Sequence, residues 1–338
     1  MIKNQRTGSP IIPRNKADPT QSGKPVRKMY RDIENRYHGL KKALRQLFDL
    51  SFSGRERNQN SLYSYILAKN AQNEPDSLIR VNAGVYSYDL AERPDEYARF
   101  LERLQSILDE YLLDGGSENL WAFSHIAAEY DRGTLNAYTN LSLQSEVYAT
   151  QTTLTYLMSQ PAYQNQIAAT FISTFSDWKG ISDAARADLS NIIGTSIARG
   201  VNPRETARIV SQRLDVSMSN AKRIAQTEQV GALRRANWNE TTWASERLGL
   251  RTGLLWLSAL KPTTRSWHAA RHGKVFTVEE VESFYADGGN RFNCYCATQP
   301  VLLNDDGTIY NKGIIDRLTA ERKAWSDDDE VINGTVNQ

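Results

Sequence analysis

The sequence predicts a mainly α protein: an elongated helical body followed by a small α+β C-terminal module. Three observations carry this. Apolar residues recur at three- and four-residue steps from about residue 31 to about residue 247. After Gly249 that period gives way to short, dense apolar runs separated by turn residues. Rare side chains crowd the same region: both cysteines, two of the four histidines and four of the seven tryptophans fall between 238 and 296.

A chain of 338 residues is long enough for a sizeable core and points to two domains. No apolar run approaches the length of a membrane span, and residues 1–30 lack the apolar block of a signal peptide, so no membrane partner is expected. One Cys-x-Cys pair excludes a disulfide framework and suits a reducing compartment.

The net charge of +2 conceals an asymmetry. Lys3, Arg6, Arg14, Lys16, Lys24, Arg27 and Lys28 face a single acidic residue, Asp18, in a proline-rich segment with little apolar material. Residues 1–30 are therefore expected to form a basic disordered or extended arm, either solvated or laid on DNA or an acidic protein surface. Residues 31–248 are expected to form the helical domain, 249–303 the α+β module, and 304–338 a polar tail ending in Asp327, Asp328, Asp329 and Glu330.

Within the helical domain, Tyr97, Leu101, Leu104, Leu108 and Tyr111 make one stripe, with Pro94 at the first helical position and Gly115 as the stop. Further helices are predicted over 120–138, 147–158 and 162–175. Ala185, Leu189, Ile192, Ile193 and Ile197 line a face that ends at Gly200. Asn202 caps the next helix, with Pro203 first and Glu205 at the capping-box position. A separate helix starts near Ser219 and runs to Trp243 or beyond.

In the module, Leu254–Leu257 reads as a strand, Pro262 and Thr263 as a turn, and Val275–Phe276 as a second strand. Thr277 and Glu280 form a capping box for a helix through Tyr285, and 297–303 is a closing strand. A module of about fifty residues needs a staple or a neighbouring domain to be stable.

The chemistry leaves alternatives. His268 and His272 share a helical face, and with Cys294 and Cys296 they supply the ligand types of a zinc site. The single residue between the cysteines is tighter than the usual zinc spacing, so the other reading is two small buried thiols and a hydrogen-bonded histidine. The stretch 268–272 lacks the glutamate of a zinc hydrolase motif, and no phosphate-cradling loop is visible, so no catalytic residue is assigned. Glu228 faces the core beside Ile224 and Ala225, and Arg265 is its expected partner, bolting the last long helix to the module; the alternative is a solvated glutamate.

Several motifs then fall in a distinctive order. They are Gly200-x-Asn202-Pro203, Arg223-Ile-Ala-Gln-Thr-Glu228, Trp256, Thr264-Arg265-x-x-His268, Gly273, and Asn293-Cys-Tyr-Cys296 with Pro300. This string, over about 180–303, resembles the phage Mu F-like head morphogenesis proteins, the minor head or minor capsid proteins of tailed bacteriophages. The chain departs from the family pattern at Gln226, where arginine is usual, at Lys261, where aspartate is usual, and at Tyr295, where arginine is usual.

The resemblance implies a structural, non-enzymatic protein of the virion, assembled in the host cytoplasm and placed in the capsid interior near the portal. The portal protein is its implied partner, with the major capsid or scaffold protein and packaged DNA as further ones, and its implied roles are head morphogenesis, DNA packaging or DNA ejection. Glu228, Trp256, Arg265, His268, Asn293, Cys294 and Cys296 become a structural motif, and no appended toxin domain is expected. The competing readings are a metal-dependent nucleic-acid-processing enzyme using His268, His272, Cys294 and Cys296, and a DNA-binding accessory protein acting through the basic arm.

Overall fold

The computed structural model describes residues 8–51, 54–57, 85–88 and 93–334. The described chain is mainly helical, with a small antiparallel sheet near its C-terminus, as the sequence predicts. No helix among the described residues is long and apolar enough to cross a membrane. The chain divides into two compact units, one formed by Met1–Arg31, Trp121–Phe175 and Lys222–Gln338, the other by Asp32–Leu120 and Ser176–Ala221.

The second unit contains most of α1 (Gly23–Ser51), all of α2 (Pro94–Leu112), and parts of α6 (Pro161–Ala198) and α7 (Pro203–Leu248). Phe100, Leu104, Leu108 and Leu112 are the buried side chains of α2, at helical spacing, whereas Tyr97, Leu101 and Tyr111 of the predicted stripe are half-buried. Phe48 meets Phe100 edge to face, and Asp109 accepts a hydrogen bond from Ser182 at 2.7 Å. Two short strands, β1 (Gly54–Arg57) and β2 (Val85–Tyr88), pair antiparallel in this unit.

In the first unit, α3 (Trp121–Gln144), α4 (Glu146–Gln151), α5 (Leu154–Ser159) and the C-terminal half of α7 accompany the predicted module. The sheet has the order β4-β3-β5, with β3 Thr252–Leu257, β4 Val275–Phe276 and β5 Ala297–Leu302. Between the strands lie α8 (Ser266–Ala269), α9 (Val278–Ala286) and α10 (Gly288–Arg291). The predicted capping box is present: Glu280 N donates to Thr277 Oγ1, and Thr277 N donates to Glu280 Oε2.

Buried amides join α3 to β5. Gln144 Nε2 donates to Pro300 O at 2.9 Å, Gln144 Oε1 accepts from Leu302 N, and Asn140 Nδ2 donates to Gln299 Oε1. A glutamine side chain thus satisfies backbone groups that an additional strand would otherwise pair.

Four element assignments differ from the sequence reading. The expected helix over 147–158 is two, because Thr152 and Thr153 are extended and Thr153 caps α5 through Tyr156 N. The helices expected around 202–214 and 219–243 are one 46-residue helix, with Ser219 turned back onto Asp215 O inside it. α6 likewise runs unbroken through Gly180. The acidic tail carries α11 (Lys312–Gly334), with Leu318 buried against the sheet in the cluster of Leu255, Leu257 and Val301.

Residues 8–30 are not a free arm. Helix α1 begins at Gly23, whose N–H donates to Asp18 Oδ2 at 2.8 Å. Ser22 Oγ donates to buried Glu129 at 2.7 Å, and Arg132 donates to Thr20 O and Ser22 Oγ, pinning the segment to α3. The prolines and sparse apolar content conceal this because the anchoring uses small polar groups. Arg14, Lys16, Lys24, Arg27 and Lys28 remain exposed, with Lys16 paired to Glu321 at 3.1 Å; Lys3 and Arg6 lie outside the described residues.

Candidate functional site

The signature residues gather where α7 meets the module. Asn293 has φ 53°, a left-handed turn that asparagine tolerates better than most residues. After this turn, Cys294 and Cys296 face His268, while Tyr295 between them faces Lys261. That alternation belongs to extended chain and gives Cys-x-Cys its use: both thiols lie on one side. Motif residue Gly273 has φ 78°, and a Cβ there would come within 2.9 Å of the Leu318 Cβ.

Arg234, which the sequence reading passed over, organises the cluster. It projects from α7 and is 2% exposed. Nε donates to Cys296 O at 3.0 Å, while Nη2 donates to Cys294 O, to Cys296 O and to Cys294 Sγ at 3.2 Å. Its guanidinium lies 4.2 Å from the ring centre of Tyr285, which stacks on Trp256 at 5.3 Å and on Trp238 at 5.9 Å.

His268, Cys294 and Cys296 are 1%, 6% and 2% exposed. His268 Nδ1 lies 3.5 Å from Cys294 Sγ and 3.7 Å from Cys296 Sγ, and one ligand atom from each residue falls within 4.8 Å of the other two. His268 Nε2 is buried without a hydrogen-bond partner. The hydrogen bond from Cys296 holds the Cys294 thiol well below the usual range, aided by Arg234 and His268. Cys296, the donor in that bond, is correspondingly pushed up. Cys294, the more acidic of the two thiols, is the one whose sulfur meets the buried Arg234 guanidinium.

Two expectations are corrected. Arg265 does not pair with Glu228; its Nη2 donates to Phe292 O at 3.0 Å, supporting the turn before the cysteines. Glu228 instead lies 3.6 Å from Arg235, about two turns along the same helix. His272 does not join His268 and the cysteines. Its Nδ1 accepts from Ser258 N at 3.0 Å, and its Nε2 lies 3.5 Å from Glu321 Oε2 without hydrogen-bond geometry. Burial keeps the His272 imidazole below its ordinary pKa. The helix that would have aligned the two histidines ends at Ala269, so their four-residue spacing does not place them together.

The remaining signature residues are also committed to protein groups. Trp256 is fully buried, and its Nε1 donates to Ser258 Oγ at 3.0 Å. Gln226 accepts from Tyr30 Oη at 2.8 Å. Lys261 Nζ sits 4.0 Å from the Tyr295 ring centre, so two departures from the family pattern touch each other. A groove of about 500 Å³ elsewhere in this unit is lined by Tyr163, Trp243, Glu246, Glu279 and Glu282, with buried Glu240 at its wall. Glu240 accepts from Tyr148 Oη, and burial pushes its carboxyl up to about 7.

Fold and site together define a small α+β module fastened to a long helix by a buried cluster of Arg234, Cys294, Cys296 and His268. Residues 187–299 match the family described as Phage Mu protein F like protein, the family that the motifs of this stretch resemble. An uncharacterized protein of Haemophilus influenzae is 23% identical over 175 residues, which is 51% of this chain and 38% of that protein. The chain therefore spans well under half the length of that relative. No solved structure matches.

Proposed function

We propose that this chain is a structural, non-enzymatic minor head protein of a tailed bacteriophage. It associates with the portal, occupies the capsid interior near it, and takes part in head morphogenesis, DNA packaging or ejection. The observation that carries this is the state of the family signature. In the matched stretch, Trp256, His268, Cys294 and Cys296 are buried and directed at protein atoms, as parts of a scaffold are. A nucleic-acid-processing enzyme would present such groups to a substrate.

The test uses particles of the phage or prophage that encodes the chain. Mass spectrometry of purified heads is expected to find it in low, fixed stoichiometry, and the portal protein is expected to retain it in pull-downs. Its absence from both heads and portal complexes contradicts the assignment. Exposed Arg14, Lys24, Arg27 and Lys28 support a second contact, with packaged DNA. Its affinity should fall steeply with salt, and neutralising these four residues should reduce that slope.

A further inference from the structure

We propose that His268 Nδ1, Cys294 Sγ and Cys296 Sγ form a site for one soft d10 metal ion, zinc first. The geometry is the argument. One imidazole nitrogen faces two sulfurs at nearly equal distances, 3.5 and 3.7 Å. Such a near-symmetric arrangement is what three ligands sharing one ion require. Zinc–sulfur and zinc–nitrogen bonds of about 2.3 and 2.0–2.1 Å, at tetrahedral angles, set the sulfur–nitrogen edge at about 3.6 Å. Both nitrogen–sulfur separations match that edge, and the two sulfurs lie within 4.8 Å of each other.

The surroundings fit a thiolate-bound ion. The ligands are buried beneath Trp256, Phe284 and Tyr285, and the cysteines are unpaired. Arg234 Nη2 donates to Cys294 Sγ, an N–H···S bond compatible with a metal-bound thiolate. Two thiolates neutralise a divalent ion, while the carbonyls of Cys294 and Cys296 and the Tyr285 ring continue to hold the guanidinium. Because the ligands sit on α8 and on the segment entering β5, the ion ties together two parts of a module too small to be stable alone. His272 is outside the site, engaged with Ser258 and Glu321.

The experiment takes the full chain, stripped with chelator under reductant, and titrates it with cobalt(II), then zinc. One equivalent of cobalt is expected to give tetrahedral d–d bands with thiolate charge-transfer absorption, and zinc should bleach both. Cys294→Ser and Cys296→Ser should each weaken binding at least tenfold, while His272→Ala should bind as the parent does. If the serine variants fail to fold, the parent decides: zinc should raise its melting temperature and shield both thiols from alkylation. Folded parent protein that shows no charge-transfer band, binds under a tenth of an equivalent of zinc and gains no thiol protection overturns the site. So does loss of binding in a folded His272→Ala variant. Neither result bears on whether the chain is found in phage heads.

Discussion

Arg234 donates from Nη2 to the sulfur of Cys294 at 3.2 Å, joining the long helix α7 to the signature cysteines of the module. No carboxylate takes part in this contact; the Cys294 sulfur meets one side of the guanidinium and the Tyr285 ring the other. Removing the guanidinium leaves two buried carbonyls and a sulfur without their donor, at about 1–3 kcal/mol per stranded group and about 3–5 kcal/mol together. Arg234→Ala is expected to lower unfolding stability by about that amount in denaturant titrations. Arg234→Lys should recover little of it, because one ammonium cannot reach two carbonyls and a sulfur in the guanidinium's fork geometry.

Arg265 supports the turn at Phe292, not the helix at Glu228. Arg265→Ala is expected to cost about 1–2 kcal/mol, the scale of a charge-assisted hydrogen bond with partial exposure. Glu228→Gln should be nearly neutral, and the two changes should add. A coupling above about 1 kcal/mol in a double-mutant cycle would restore the direct pairing.

Lys261 and Tyr295 replace an aspartate and an arginine at positions where the family pattern usually has them. Lys261 Nζ lies 4.0 Å from the Tyr295 ring centre, a cation–π contact that couples the two positions. Lys261→Asp alone and Tyr295→Arg alone are each expected to destabilise. The double variant should recover about 1 kcal/mol relative to their sum. Strict additivity, within about 0.3 kcal/mol, would separate the two positions.

Glu240 gives stability a pH signature. Its carboxyl is raised from an ordinary 4.5 to about 7 by burial, so the folded state binds its proton more tightly than the unfolded chain does. The associated stability is full below about pH 4.5 and is lost as pH rises through about 7, a loss on the order of 3 kcal/mol. Glu240→Gln keeps an acceptor for Tyr148 and removes the titration. The variant should flatten the stability profile between about pH 4.5 and 7, and it should melt above the parent at pH 8.

Much of the module was legible in the sequence. The Thr277–Glu280 capping box, the strand at Leu254–Leu257 and the closing strand rest on local rules that the chain obeys. The gathering of His268 with Cys294 and Cys296 was legible from composition alone, but the exclusion of His272 was not. It depends on α8 ending after one turn.

Arg234 was hidden for a different reason. In the first unit α7 is enclosed on most sides, so Gln226, Gln229, Arg234, Asn237 and Thr241 are all buried and no amphipathic stripe marks the core face. A charged residue is read as surface when its neighbours are polar, and its partners here are carbonyls and a cysteine sulfur some sixty residues away. Residues 8–22 were missed similarly, because Asp18, Thr20 and Ser22 anchor them by hydrogen bonds that leave no hydrophobic pattern.

Hydrogen exchange on the folded Arg234→Ala variant tests most directly whether the buried cluster fastens the module to its helix. Amides of β3 and β5 are expected to lose protection together, while those of α2, in the other unit, keep the parent's rates. Unchanged protection of β3 and β5 in that variant would contradict the account.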